Sequence, residues 1–361
     1  MASRSLIASS SNPLLERALR EKLQRRAEQA GILGELEPLA LRLGLMQNTL
    51  KPRFLDPQLV VFAADHGLAV DGLAPPGRKQ TQDQVRQLLA GQWPMAVFAR
   101  SQQIELSVVD CGIAADMPTH DRLLMRKIAH GTRNARVGPA MTLDQAHSAM
   151  RAGMEIGDSL RGNVLICAGL GVGAQESAGL VLSRLTDTPI RELVVSGPQM
   201  PADLIGHLMV VLQGSQGRHK AVTDPVEVMA AFGGFEMAVM VGVMLVAASK
   251  RHLLMIDGMT ACAALMLAAR IATPVTDYCV FCRSHSHAGL DRALGLFRAS
   301  ALLELGLESA DGTGAALAWP LVRSAAALLT EVADGEDPGP SQPDGLWPVP
   351  DGVPAELPPR R

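Results

Sequence analysis

Three short segments carry residue types that can do chemistry. Ala63-Ala64-Asp65-His66-Gly67 closes a β-type run, and an Asp–His pair in a strand-end loop can bind a ligand or shuttle a proton. The pair can equally be structural, with Asp65 capping a turn and His66 satisfied by its neighbours. Cys167-Ala168-Gly169-Leu170-Gly171-Val172-Gly173 follows a second strand and opens a helix. Gly171 and Gly173 would let backbone N–H groups approach an anion at the positive end of the helix dipole. The spacing fits neither a Walker A loop nor a full dinucleotide fingerprint, and tight helix–strand packing explains the same glycines. Asp311-Gly312-Thr313-Gly314-Ala315 again sets a carboxylate before a helix. Asp311 could be a general base, although capping alone is the simpler account of an acid at that place.

Other candidates carry less. Ser284-His285-Ser286-His287 lacks a well-placed third ligand, so no metal site is expected there. Cys279 and Cys282 form a lone CxxC that reads as buried thiols. No G-x-S-x-G nucleophile motif occurs. Neither a metal nor a cofactor is expected.

The elements that must position these residues alternate. Runs at Leu59–Ala63, Ile104–Val109, Val164–Cys167, Leu253–Ile256 and Asp277–Cys282 read as strands, most of them ending in Gly or Asp. Helical patterns lie between them at Leu143–Leu160, Ser177–Leu185, Pro201–Leu212, Pro225–Ala248 and Ala261–Arg270. The Met-rich patterns at 225–248 and 261–270 read as core helices. The alternation predicts an α/β fold, with a mostly parallel sheet and helices on both faces. Ligands of such sheets sit outside the carboxyl ends of the strands, which directs attention to the loops at Asp65, Asp110, Gly169 and Asp257.

Residues 1–50 are helical and polar-amphipathic, and a last helix within 311–333 returns to them, giving a smaller lobe beside an α/β domain at 51–310. Residues 334–361 are too rich in Pro and Gly for a packed core and are expected to be disordered.

Composition narrows the partners. The chain has 361 residues, 48% hydrophobic and 19% charged, with a net charge of −3 and 3% aromatics. With no basic patch and few stacking side chains, a nucleic-acid partner is not expected. No apolar run is long enough for a membrane span, and the N-terminus lacks a signal-peptide core. Five irregularly spaced cysteines suit a reducing cytoplasm.

Read together, these segments resemble the nicotinate-nucleotide:dimethylbenzimidazole phosphoribosyltransferase family, in order, from about Asn12 to Ala333. The similar stretches include VVFAADHG (60–67), IELSVVDCGIAADM (104–117), HGTRNARVGPAMT (130–142) and DPVEVMAAFGGFEMAVMVGVML (224–245). LLMIDGMTACAALMLAAR (253–270) and DGTGAALAWPLV (311–322) complete the set. The resemblance implies a homodimeric, doubly wound, mainly parallel six-stranded sheet with a small helical lobe. It implies transfer of phosphoribose from nicotinate mononucleotide to dimethylbenzimidazole or a related base, without a metal. In that reading Asp311 is the general base and Gly171, Gly173, Gly312 and Thr313 meet phosphate or ribose. Gln84, Asp65, His66 and Leu170 line the acceptor-base pocket.

The substrate-contacting segments depart from the family pattern more than the scaffold does. A GEGTG-like segment reads Asp311-Gly312-Thr313-Gly314, drawing the carboxylate back by one methylene. A GEMGIGNTT-like loop reads Ala168–Glu176, with Gly169 at its glutamate and Ala174, Gln175 and Glu176 at its amide and hydroxyls. A GxGTG-like stretch corresponds to Ser196–Met200, a following lysine to His207, and a Ser-Pro-Gln to Pro76-Gly77-Arg78, whereas Thr81 and Gln84 match. A second expectation is therefore a weakened or inactive paralogue that binds a nucleotide or base, or partners an active homologue.

Overall fold

The computed structural model describes residues 7–73, 79–195 and 201–331. Six strands, β1 (Gln58–Ala64), β2 (Glu105–Gly112), β3 (Leu123–Met125), β4 (Val164–Leu170), β5 (Leu253–Asp257) and β6 (Cys279–Cys282), form one sheet. Their order is β3-β2-β1-β4-β5-β6, and every neighbouring pair runs parallel. Parallel strands covered on both faces read as apolar runs rather than alternating ones, and all of Leu253–Asp257 is buried. Strand order reverses between β1 and β4, so their carboxyl ends open the crevice where ligands of such sheets bind.

Adjacent residues of one strand identify the two covering layers. A Cβ on Gly312 would meet Ala168 of β4, whereas one on Gly169 would meet Thr260. Neighbouring strand residues point to opposite faces. The helices they touch, α13 (Thr313–Thr330) and α11 (Met259–Ile271), therefore cover opposite sides. With α11 lies α10 (Phe235–Ser249), which spans β1, β2, β4 and β5 and carries α5 (Leu143–Ser159) on its back. Glycines allow that contact: a Cβ on Gly153 would sit 2.0 Å from the Val239 carbonyl oxygen, and one on Gly242 2.1 Å from that of Met150. On the other face α13 packs on β5, β6 and α4 (Pro94–Ser101), and against α1 (Pro13–Ala30) and α2 (Leu36–Gln47).

Several boundaries differ from the sequence reading. The pattern 225–248 is two helices, α9 (Pro225–Phe232) and α10, parted at Gly233-Gly234. Gly234 leaves no room for a side chain, because a Cβ there would lie 2.2 Å from Glu236 Oε2 and 2.4 Å from the His66 ring. The last strand begins only at Cys279, since Thr273–Tyr278 forms a 3-10 turn opened by Pro274. Strand β3, three residues long, was not among the apolar runs. Neither were α3 (Thr81–Leu89), α4, α7 (Ile190–Val194) and α12 (Ala288–Leu296) among the helical patterns. Helix α6 (Ala174–Thr186) begins at the glycine loop itself, and α8 spans Ala202–Arg218. Residues 76–78, 196–200 and the tail at 334–361 lie outside the described residues. No helix among the described residues is long and apolar enough to cross a membrane.

Candidate active site

The strand tips bring together residues far apart in sequence. At the end of β5, Asp257 is followed by Gly258, whose φ of +92° is a conformation that L side chains rarely adopt. The carboxyl of Asp311 fills the hollow above this glycine; a Cβ on Gly258 would lie 1.9 Å from Asp311 Oδ2. From the loop after β6, His285 Nε2 reaches to 3.0 Å from Asp311 Oδ1. Asp311 Oδ2 has no hydrogen-bond partner among the described residues.

Asp311 does not cap the helix that follows it. The N-cap position of α13 is Gly312, at φ +95° and with no side-chain cap bond. The N-terminal amides of α13 are met instead by the tips of β5 and β6. Ala315 N donates to Asp257 Oδ2 at 3.0 Å, and Gly314 N donates to Ser284 Oγ at 2.8 Å. Ser284 Oγ in turn donates to Asp257 Oδ2 at 2.7 Å. The simpler expectation for Asp311 is thus corrected: its carboxylate is not spent on the helix. Thr313 turns its hydroxyl back to the Ala310 carbonyl at 2.7 Å, and Gly312 packs on the sheet face over Ala168.

Charge is concentrated here. Asp257 is fully buried and its Oδ1 has no hydrogen-bond partner among the described residues. Burial, followed by the nearby charge of Asp311, pushes its carboxyl up to about 6. Burial pulls the His285 imidazole down, but the bond and charge of Asp311, helped by Asp257 and Glu308, outweigh it and raise the pKa above the ordinary value. His287, 5.9 Å from His285 between ring centroids, is pulled down to about 4 by burial and then by the His285 charge. A cavity of about 580 Å³ opens beside this group, lined among others by Trp93, Gln175, His285, Glu308 and Thr313. That volume lies within the range of small-molecule sites. Gln175 is in the first turn of α6, so the glycine-loop helix and the segment before α13 border one cavity.

The β1–β4 crevice holds the other expected residues. Gly171 is required sterically, since a Cβ would sit 2.0 Å from the Ala64 carbonyl oxygen. Gly173 has φ +88°, and a Cβ there would lie 3.0 Å from that of His66. It is the N-cap of α6 and offers no side-chain bond to the helix amides. Asp65 Oδ1 accepts from Thr81 Oγ1 at 2.5 Å and Oδ2 from Ala114 N at 2.8 Å, so both oxygens are engaged. His66 and Leu170 are buried. His66 Nε2 lies 2.9 Å from Oε1 of Glu236, which is wholly buried. Burial lowers the His66 pKa, but Glu236, with help from Asp65 and Glu176, more than offsets it and leaves it raised. The Gln84 amide donates to the Lys79 carbonyl at 2.9 Å. His207 sits 2.6 Å from the Asp71 carbonyl oxygen, on the turn after β1.

Three participants escaped the sequence reading. Glu236 was absorbed into an apolar helix, His285 was weighed only as a metal ligand, and Asp257 was marked as a loop without a role. The signal for Asp257 was present, as an acid followed by glycine at a strand tip.

A family model described as phosphoribosyltransferase matches residues 9–339. Among curated relatives, the nicotinate-nucleotide–dimethylbenzimidazole phosphoribosyltransferase of Cupriavidus taiwanensis is 40% identical, over 89% of this chain and 95% of its own length. That of Janthinobacterium sp. (strain Marseille) is 36% identical, over 93% and 98%. The crystal structure of the enzyme of that name from Thermus thermophilus superposes with a TM-score of 0.81 at 29% identity, covering 88% of this chain and 96% of its own. An all-parallel sheet in this order, a shared cavity at its carboxyl edge and matches of this length agree: the chain belongs to the nicotinate-nucleotide:dimethylbenzimidazole phosphoribosyltransferase family.

Proposed function

We propose that this protein transfers the phosphoribosyl group of nicotinate mononucleotide to dimethylbenzimidazole or a related aromatic base, giving an α-riboside phosphate and nicotinate in cobamide assembly. One ring nitrogen of the acceptor attacks the anomeric carbon as the bond to nicotinate breaks. Nicotinate leaves with the bonding electron pair, and Asp311 takes the proton from the acceptor's other nitrogen. The observation that carries this reading is the Asp311 carboxylate held by His285, a residue of the cavity wall, and released from capping by Asp257 and Ser284. Gly171, Gly173, Gly312 and Thr313 are assigned to the phosphate and ribose, and the N-terminal end of α6, whose N-cap Gly173 has no side chain, supplies the anion-binding end. Asp65, His66, Leu170 and Gln84 are assigned to the acceptor side, Asp65 and His66 as its buried frame.

The test is chromatographic detection of nicotinate after mixing the protein with nicotinate mononucleotide and a panel of benzimidazoles, purines and phenols. Release that depends on both the nucleotide and an azole is expected; no release with any acceptor overturns the reading. One observation favours the second reading, a member that binds without turnover. At the family's loop glutamate stands Gly169, where a Cβ would meet Thr260 Cβ at 2.5 Å, so the space for that side chain is filled. Calorimetric binding of the nucleotide without nicotinate release is its signature.

The seat of Asp311 gives a further expectation. Gly258→Ala introduces a methyl into the space of the carboxylate, at a backbone angle unfavourable to alanine. A shift of about 1 Å at a reacting group costs about a hundredfold in rate. Nicotinate release should fall by about that factor, with a lower melting temperature in thermal unfolding.

We read the assembly as a cytoplasmic homodimer. Val70 and Val137 are chain neighbours of Asp71 and Arg136, which pair, and Val210 follows His207, which meets the Asp71 carbonyl; the three are 80%, 67% and 67% exposed and supply apolar surface for a second copy.

A further inference from the structure

The assignment of Asp311 leaves a second carboxylate unexplained. Asp257 is fully buried at the tip of β5, the charge of Asp311 acts on it, and its Oδ1 has no hydrogen-bond partner among the described residues. Two acids sharing a buried corner repel, and without compensation one of them holds a proton. The two are not equivalent. Asp257 faces only neutral donors, Ser284 Oγ and the Ala315 amide, with the Gly312 amide also turned to it. Asp311 alone meets an ionisable cation, the His285 imidazole, which also borders the cavity.

We propose that His285 is a positioning residue that makes Asp311 the anionic member of the Asp257–Asp311 pair, fixing Oδ1 so that Oδ2 is left to receive the acceptor's proton. This rests on the reading of Asp311 as the base. The surroundings of His285 favour its cationic form. Asp311 faces it from the segment before α13, Asp257 from β5 and Glu308 from the loop between α12 and α13. On its own loop, His287 is held neutral in the physiological range by burial and by the His285 charge. Arg283 is engaged by Asp291 of α12 and by Glu304. The ring is thus surrounded by three acids, a neutral imidazole and a guanidinium already paired elsewhere. When a proton settles on Asp257, the inner charges are the Asp311 carboxylate against the His285 imidazolium, with Glu308 exposed to solvent beyond them, an arrangement the site can hold at small cost. Exchange of the two roles would leave the anion at Asp257, walled off from the acceptor, with its proton on the oxygen that has to receive another.

Two variants should separate the two carboxylates in the pH–rate profile. His285→Gln keeps an amide near Asp311 but removes the cation, so the acid limb of nicotinate release should move up by about one pH unit or more. Asp257→Asn imitates the protonated acid that the proposal places there, so its acid limb should stay where the parent's is. Damage to packing lowers the plateau in both variants and has no reason to shift one limb alone. An unmoved limb in His285→Gln, or a limb displaced by about one unit in Asp257→Asn, overturns the proposal.

A second readout needs no turnover. The imidazole signal missing from the His285→Gln spectrum identifies His285 by NMR, and its titration in the parent protein should lie above that of an ordinary histidine. In Asp311→Asn it should fall by about one unit or more; an unchanged titration overturns the proposal. The two readings separate cleanly. Asp311→Asn that still releases nicotinate removes the base assignment. Loss of release in Asp311→Asn together with an unmoved His285 titration removes only the role of His285.

Discussion

Asp311→Asn is expected to lower nicotinate release about 10²–10⁴-fold, the contribution usual for a positioned general base. The substitution is nearly isosteric, so the side chain still fills the hollow above Gly258, where the fit is closest. Helix α13 keeps its cap, because its first amides are met by Asp257 and Ser284 and not by residue 311. The fold should therefore persist, with an unfolding midpoint close to that of the parent. The loss should fall on kcat, with KM for the nucleotide little changed, since the amide retains shape and some hydrogen bonding but cannot accept the azole proton. Steady-state kinetics beside thermal unfolding decides it. A drop in stability of several degrees would reassign Asp311 to structure, and an unchanged kcat would move the proton to another acceptor.

How far the sequence revealed this site depended on whether each residue's partners were local. Strands β1, β4 and β5 were legible because a parallel strand covered on both faces must be an apolar run, and theirs end in Asp or Gly. β3 has only three residues and edges the sheet, too short to leave a pattern. The break between α9 and α10 was masked by sequence rich in Ala, Val and Met on both sides. Its sign was the glycine pair, of which the Glu236 carboxyl and the His66 ring require Gly234 to be bare, and the Met229 carbonyl crowds Gly233. Asp311 was visible as an acid before a helix, yet a base and a cap look alike there. What separates them is that Asp257 and Ser284 provide the cap from other strands. His66 and Glu236 lie 170 positions apart, and no spacing rule connects them. The glycine loop was visible as well, although at Gly171 the demand on it is steric first: the Ala64 carbonyl leaves no room for a methyl.

The buried pair of His66 and Glu236 should give the largest stability effect in the molecule. Glu236 is 0% exposed and His66 4%, with 2.9 Å between Nε2 and Oε1. Removing one partner of a buried ion pair costs about 3–5 kcal/mol, because the other is left charged without compensation. Glu236→Gln is expected to approach that range at pH 6. The cost must depend on pH, and its sign follows from His66. The folded-state pKa of His66 is raised above the ordinary value of 6.5. Stability from the pair is thus fully present below about 6.5 and drains away as pH rises through the folded-state value. In Glu236→Gln the buried ring has only burial and weaker charges to answer to, so it sheds its proton more readily and that dependence flattens. Urea unfolding of both proteins from pH 5.5 to 9 should show a gap widest at the acid end and narrowing upward. A gap of constant size would mean that the pair carries no net proton linkage and that its contact is that of two neutral groups. Because a Cβ on Gly173 would lie only 3.0 Å from His66 Cβ, loosening this pair should also loosen the glycine loop. Nucleotide affinity should therefore weaken with stability, which neither change at Asp311 nor at His285 would produce.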